Sequence, residues 1–244
     1  MRLAIAIPTY DKMESMFVQS MVSALSYFQE TQLRNSETGE PIKKIVEPFV
    51  VSGVVHQARN RLVYEAIRFE ADYMLWLDCD HVFPVDMINR MLAHGKQIVG
   101  CNYARRVISG PTSPTAAKLN RGDLPLDERL CYTTQEKADA GELERVDHMG
   151  MGAVLMHMSV IEQLKEHAEA TGGSFMPLFH WEPVEEGSGQ VIGEDAYFFK
   201  KCRDAGIDVW CDHALSWEVG HIAKRVLTNA HAAKDEARWR EREG

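Results

Sequence analysis

The chain has 244 residues, enough for one large domain or two small ones and for a substantial buried core. Its 45% hydrophobic and 26% charged residues exclude a disordered or fibrous class and fit an ordinary globular one. A formal charge of −9 excludes a protein that wraps nucleic acid with a generally basic surface, so any such contact must be local.

The N-terminus, MRLAIAIPTYDK, has one early Arg, an apolar run and then Pro8. The run is too short for a signal-peptide core or a membrane span. It reads as a first strand over Leu3 to Ile7, buried on both faces. Pro8-Thr9-Tyr10-Asp11 breaks that strand. Met13 to Phe28 then carries Met16, Phe17, Met21, Leu25 and Phe28 at helical spacing. A polar loop over 31–44 leads to a second strand, Ile45 to Val51. Val54 to Glu70 reads as a helix, with Ala58, Leu62, Ala66 and Phe69 on one face. Tyr73 to Leu77 is a third strand, Pro84 to Ala93 a helix opened by Pro, and Ile98 to Asn102 a fourth strand. This alternation argues for a parallel, helix-flanked sheet. Ligands of such sheets bind beyond the carboxyl ends of the strands, where Pro8-Thr9-Tyr10, Asp78-Cys79-Asp80 and Asn102-Tyr103 fall.

The character changes after Tyr103. Residues 104–127 are rich in Gly, Pro, Ser, Thr and Arg and read as a long, mobile loop. Within 102–125, Arg105, Arg106, Lys118 and Arg121 stand against one acid, Asp123. That basic excess suits a solvated loop or a phosphate-bearing acceptor. Short strands are expected around 128–156. His148-Met149-Gly150-Met151-Gly152 reads as a tight turn with glycines at positive φ, or as a loop lying close to a ligand. Helices fit Val160 to Ala170 and Glu194 to Ala205, and Ile207 to Trp217 reads as strand. Ile222 to Arg242 reads as a helix with a charged face or as a lid. No run approaches about 18 apolar residues, so no membrane span is predicted. Cys79, Cys101, Cys131, Cys202 and Cys211 are scattered, without a C-x-x-C pair. They read as reduced thiols in the cytoplasm.

Leu75-Trp76-Leu77-Asp78-Cys79-Asp80 places two carboxylates one residue apart after an apolar run. The acids therefore leave a central strand, not a surface hairpin. A hard divalent cation takes oxygen ligands and keeps part of its shell for substrate phosphates. A solvated turn or helix cap is the plainer reading of the same pair. Gly193-Glu194-Asp195 puts a second acidic pair at a helix start, where acids also favour the macrodipole. His221, after a strand, could be a further metal ligand or a structural histidine.

Five segments in this order carry a resemblance: Ile5-Ala6-Ile7-Pro8-Thr9-Tyr10, Ala58-Arg59-Asn60, Leu77-Asp78-Cys79-Asp80, Gly193-Glu194-Asp195 and Gly220-His221. Over most of its length the chain resembles a GT-A-fold glycosyltransferase of the short type found in bacteriophages and prophages. It is also similar to family-2-like enzymes and to retaining enzymes of the mannosylglycerate synthase kind. The resemblance implies an α/β fold, a Rossmann-like mixed sheet flanked by helices, in one domain over 1–244. Residues 1–103 would be the nucleotide-binding half, 104–221 the acceptor and catalytic half, and 222–244 a C-terminal helix.

The resemblance also implies roles. Pro8, Thr9 and Tyr10 would meet the base and ribose of a nucleotide-sugar donor, expected to be a UDP-sugar. Arg59 would reach a donor phosphate or the base. Asp78 would contact ribose or sugar and share the metal. Asp80 would ligate Mn or Mg, and His221 would complete the metal site. Asp195 or Glu194 would face sugar or acceptor, as general base in inverting relatives or as a donor-orienting acid in retaining ones. The acceptor side is expected to draw on Tyr103, Arg105, Arg106, Gly150 and Trp181. The base-reading acid that relatives carry near the second strand is not assigned: Glu47 is a candidate, but Ser52 occupies the strand's end.

The implied activity is metal-dependent transfer of a sugar to an acceptor hydroxyl. The phage-type version has a hydroxymethylated pyrimidine in DNA as acceptor, flipped from a duplex, in the host cytoplasm. Saccharide, lipid, small-molecule and protein acceptors are alternatives. Nucleotidyl transfer or phosphoester hydrolysis also uses Asp-x-Asp. A nucleotidyltransferase wants a glycine-rich phosphate loop after the first strand, and Pro8-Thr9-Tyr10 offers none. A nucleotide-binding module without turnover is a third reading.

Overall fold

The computed structural model describes residues 1–35, 38–106, 112–118, 129–184 and 191–223. Its strands are β1 (Arg2–Thr9), β2 (Ile45–Ser52), β3 (Tyr73–Leu77), β4 (His81–Val82), β5 (Ile98–Gly100), β6 (Leu143–Val146), β7 (Ala153–His157), β8 (Glu182–Pro183), β9 (Val191–Ile192), β10 (Val209–Asp212) and β11 (Gly220–His221). Its helices are α1 (Ser15–Glu30), α2 (Val55–Arg68), α3 (Met87–Ala93), α4 (Gln135–Asp139), α5 (Ser159–Thr171), α6 (Glu194–Asp204) and α7 (His213–Glu218). Seven strands form one sheet in the order β2-β1-β3-β7-β5-β10-β6.

β1 shows why its apolar run is continuous. Leu3, Ile5 and Ile7 pack on one face with Phe17 and Phe28 of α1. Ala4 and Ala6 face the other way, against Leu62 and Ala66 of α2. Side chains alternate across a strand, so a strand covered on both faces needs apolar residues at every position. Small Ala side chains leave room for α2 to lie close.

β1 runs parallel to β2 and β3, as the alternation requires. β7 then enters antiparallel between β3 and β5. The wholly parallel sheet expected from the first hundred residues is thereby corrected. The sheet is mixed and helix-flanked, as the resemblance implies, and strands from both halves of the chain share it.

Three local expectations change. The helix expected from Pro84 starts at Met87, because Pro84-Val85-Asp86 forms a turn in which the Pro84 carbonyl accepts from Met87 N at 3.2 Å. Only Val209–Asp212 of the expected strand 207–217 is extended. Asp212 Oδ1 accepts from Leu215 N at 2.9 Å and caps α7, which takes the rest. In the described part of the loop after Tyr103, Thr115, Ala116 and Ala117 are buried, not solvated. Buried Asn102 accepts from Thr115 N at 2.9 Å and Ala116 N at 3.1 Å and donates to Cys131 O at 2.7 Å. Arg121, Asp123 and the tail helix from residue 224 lie outside the described residues.

All five cysteines are free thiols. Among the described residues, no helix is long and apolar enough to cross a membrane.

Glu144 on the outer strand β6 anchors this edge. It accepts from Lys118, from Lys137 at 2.6 Å and from His213 Nε2 at 2.9 Å. Glu142, Glu144 and His213 have a spacing that could hold a metal, but the Lys118 and Lys137 ammonium groups already supply the positive charge there. Burial alone would raise the Glu144 carboxyl. The contacts with Lys118, Lys137 and His213 outweigh burial and lower it to about 2. Its stabilising contribution is therefore full above its ordinary value of 4.5 and is lost as pH falls towards about 2. Glu144→Gln is expected to destabilise the fold by about 2 kcal/mol near neutral pH and to flatten the acid limb of the stability profile. Urea unfolding across that pH range measures both; an unaltered acid limb would contradict the assignment.

Candidate active site

The carboxyl ends of β1 and β3 open into a cleft of about 490 Å³. Pro8, Thr9 and Tyr10 line it, joined by Gly53 and Val54, which sequence reasoning missed. The turn is fixed from both sides. Thr9 Oγ1 donates to Lys12 O at 3.0 Å, and Ser52 Oγ donates to the Tyr10 carbonyl. Tyr10 is 80% exposed, a free ring at the mouth. Glu47 pairs with Ala4 inside β2 and is not among the cleft-lining residues.

β4 and β11 bring distant residues together. Their antiparallel pairing sets His221 opposite His81 and so beside Asp80. His221 Nδ1 lies 3.0 Å from the Ala104 carbonyl. A carbonyl only accepts, so Nδ1 carries a proton, and Nε2 is the ring nitrogen turned towards Asp80. That Nε2 lies 3.6 Å from Asp80 Oδ2. A half-buried carboxylate calls for a positive charge beside it. Arg106 Nη1 supplies one, 2.8 Å from Asp80 Oδ2. Burial would raise the Asp80 carboxyl, but His221, His81 and the Arg106 charge outweigh it and hold it well below the usual carboxylate range.

His81 completes this corner and was missed from sequence, although it directly follows Asp80. It is fully buried, stacks on His221 with centroids 4.3 Å apart, and neither ring nitrogen has a hydrogen-bond partner. Its Nδ1 lies 3.1 Å from Asp80 Oδ1. Ligand atoms of Asp80, His81 and His221 all lie within 4.8 Å of one another. One carboxylate and two imidazoles fit a transition-metal ion better than Mg, which prefers oxygen ligands throughout.

Asp78 does not belong to that group. Its Oδ1 accepts from Arg59 Nη2 at 2.9 Å. Arg59 is only 3% exposed, not on an exposed helix face. Its Nε also lies 3.6 Å from Glu194 Oε1, and its guanidinium carbon lies 5.7 Å from the Trp76 ring and 5.9 Å from the Phe179 ring. Burial alone would pull Arg59 down; Asp78, Glu194 and Asp195 outweigh it and raise it. Glu194 is held from the other side by Trp181 Nε1, which donates to Oε2 at 3.0 Å.

Several acceptor-side expectations are redistributed. Trp181 and Arg106 line the first cleft, with Asp78 and Asp80. Tyr103 is buried edge-on to His81, and its hydroxyl accepts from Gly152 N at 3.0 Å. Gly150 is buried against it: a Cβ there would lie 2.1 Å from the Tyr103 hydroxyl. On Gly152 a Cβ would lie 2.6 Å from His81. Neither glycine has positive φ, so close packing, not turn geometry, requires them. Phe179 is core, stacked on Phe198 at 4.9 Å.

Glu194 and Asp195 face different spaces. Glu194 lines the first cleft, whereas Asp195 lines a second one together with Arg105. Asp195 Oδ1 accepts from Ala196 N at 2.8 Å. The start of α6 is thus the wall between two clefts.

No family model matches the chain, and no curated protein matches it in sequence. The crystal structure of A197 from STIV aligns with a TM-score of 0.50 at 12% identity, over 93% of this chain and 97% of that one. The crystal structure of GalNAc-T7 with UDP, GalNAc and Mn2+ aligns with a TM-score of 0.49 at 13% identity, over 93% of this chain and 43% of that one. This chain therefore spans less than half of that second protein. At such identities the likeness concerns the fold alone.

Proposed function

We propose that this protein is a glycosyltransferase that moves a sugar from a UDP-linked donor to an acceptor hydroxyl, with Mn held by Asp80 and His221. The observation that carries the reading is the convergence of ligand atoms of Asp80, His81 and His221 within 4.8 Å of one another, beside a cleft built from strand-end loops. When bound, the ion would neutralise the diphosphate as it leaves.

The chain's own residues do the rest. Thr9 and Tyr10 receive the base and ribose. Arg59 holds Oδ1 of Asp78, leaving the other oxygen to accept a ribose or sugar hydroxyl. Arg106 offers its charge to the diphosphate at the cleft mouth. Glu194, engaged by Arg59 and Trp181, positions the donor cleft wall. Asp195 faces the second cleft and takes the acceptor proton. The acceptor oxygen then bonds to the anomeric carbon as the carbon–oxygen bond to the diphosphate breaks, giving a glycoside and UDP with inversion. The acceptor named by the phage-type resemblance is a hydroxymethylated pyrimidine in DNA, and the compartment is the cytoplasm. Transfer of labelled sugar to hydroxymethylated but not plain DNA tests that acceptor.

Thermal-shift measurements with UDP-sugars, with and without Mn, test the reading itself. A ligand that binds only the native state raises its apparent stability by mass action. A shift that needs both components is expected; no shift with any nucleotide sugar and Mn or Mg would end the proposal. Asp195→Asn is expected to lower turnover about 100-fold or more with donor binding intact, as for loss of a general base. Unchanged turnover would remove Asp195 from the chemistry.

A further inference from the structure

The second cleft has about 870 Å³ and an unusual charge for so acidic a chain. Arg105 reaches it from the loop after β5. Lys200 and Arg203 reach it from one face of α6, three residues apart. His148 enters from the turn before β7. Lys200 is tied to Glu182 at 3.0 Å. Among the described residues, the side chains of Arg105 and Arg203 form no hydrogen bond or ion pair. Arg59, Arg90, Arg106, Lys118, Lys137 and Arg145 all have carboxylate partners. The two unpaired arginines therefore stand out, and they share a space.

They also converge. His148 is 7% exposed, and its Nδ1 has no hydrogen-bond partner. Burial chiefly lowers the His148 imidazole; Arg105 and Arg203 push the same way, and Asp195 opposes them. All three charges line the same cleft as this buried ring. With Lys200 offset by Glu182, the two arginines leave the cleft a positive charge that Asp195 offsets only in part. Guanidinium groups match the oxygens of a phosphate, and an anion there would relieve their mutual repulsion. A neutral sugar hydroxyl gives no use to two free guanidinium groups.

We propose that the acceptor carries a phosphate group, bound by Arg105 and Arg203 in the cleft beside Asp195. The word acceptor rests on the transferase reading; the phosphate site does not. The anionic group anchors the acceptor, and its hydroxyl lies towards Asp195 at the shared wall between the clefts.

Calorimetric titration of the full chain with inorganic phosphate and with glycerol 3-phosphate, without nucleotide sugar, tests the site. Arg105→Gln and Arg203→Gln are each expected to weaken binding roughly tenfold, and the pair together to abolish it. Arg106→Gln, which removes the cation of the first cleft, is expected to bind phosphate as the unaltered protein does. Circular dichroism checks that each variant is folded, and Arg203→Lys, keeping the charge, is expected to bind within a few-fold of the unaltered protein. Binding that ignores the changes at Arg105 and Arg203, or that is lost with Arg106→Gln, overturns the proposal, because the anion then lies in the donor cleft. So does the absence of binding at concentrations on the order of 10 mM. A single-stranded oligonucleotide, titrated in parallel, separates the sources. Tighter binding with the same arginine dependence points to a phosphodiester, and weaker binding to a small phosphoester. Arginine-dependent phosphate binding without any UDP-sugar response would leave this site standing while the transferase reading falls.

Discussion

Asp80→Ala is expected to abolish the Mn-dependent thermal shift with UDP-sugar and to lower turnover at least about 100-fold. The carboxylate is where three positive or protonatable groups converge: His81 at 3.1 Å, His221 at 3.6 Å and Arg106 at 2.8 Å. It is also the only oxygen ligand in the group of Asp80, His81 and His221. Without it, two imidazoles remain beside an unpaired guanidinium, an arrangement that repels a divalent cation. The fold should survive, since Asp80 lies on the cleft wall and not in either apolar core. Asp80→Asn separates charge from shape: it keeps an oxygen but loses the anion and should fail nearly as badly. Chelator-resistant turnover by the unaltered protein, or Mn binding retained in Asp80→Ala, would remove the metal from the site.

Arg59→Met is expected to cost about 3–5 kcal/mol of stability. Met replaces the aliphatic stem but not the guanidinium that faces Trp76 and Phe179, so lost packing contributes a part. The charge contributes most. Arg59 compensates Asp78 at 2.9 Å and Glu194 at 3.6 Å, and its removal leaves two carboxylates facing each other behind the cleft. Asp195, close enough to act on Arg59, adds to their repulsion. Arg59→Lys keeps the charge but lacks the planar fork that serves two carboxylates at once, so an intermediate loss is expected. Urea unfolding gives the values. A loss under about 1 kcal/mol for Arg59→Met would mean that solvent, not this guanidinium, neutralises the acids.

Much of the frame was legible in the residues. The apolar run at Leu3 to Ile7 is a strand covered on both faces, and Tyr73 to Leu77 is β3 at its full length. Asp78 and Asp80 leave that strand into a cleft, as a polar pair after a buried run must. Other features were hidden because their signal is not local. Nothing in Ile207 to Trp217 announces that Asp212 caps a helix. The apolar residues there satisfy a strand pattern equally well until Leu215 N finds the carboxylate. Gly150 and Gly152 look like turn residues until Tyr103, nearly fifty positions earlier, fills the space a Cβ would need.

By itself the sequence determined which side chains emerge at the strand ends, because burial on both faces forces a strand to be apolar until its last residue. Only the tertiary structure decided how those side chains divide. Asp78 went to Arg59 and Asp80 to His221, while Glu194 and Asp195, adjacent in the chain, turned to opposite clefts. The reason is physical. A charge taken out of water settles with whichever opposite charge the fold brings within a few ångströms, and that distance is set by packing between elements far apart in the chain.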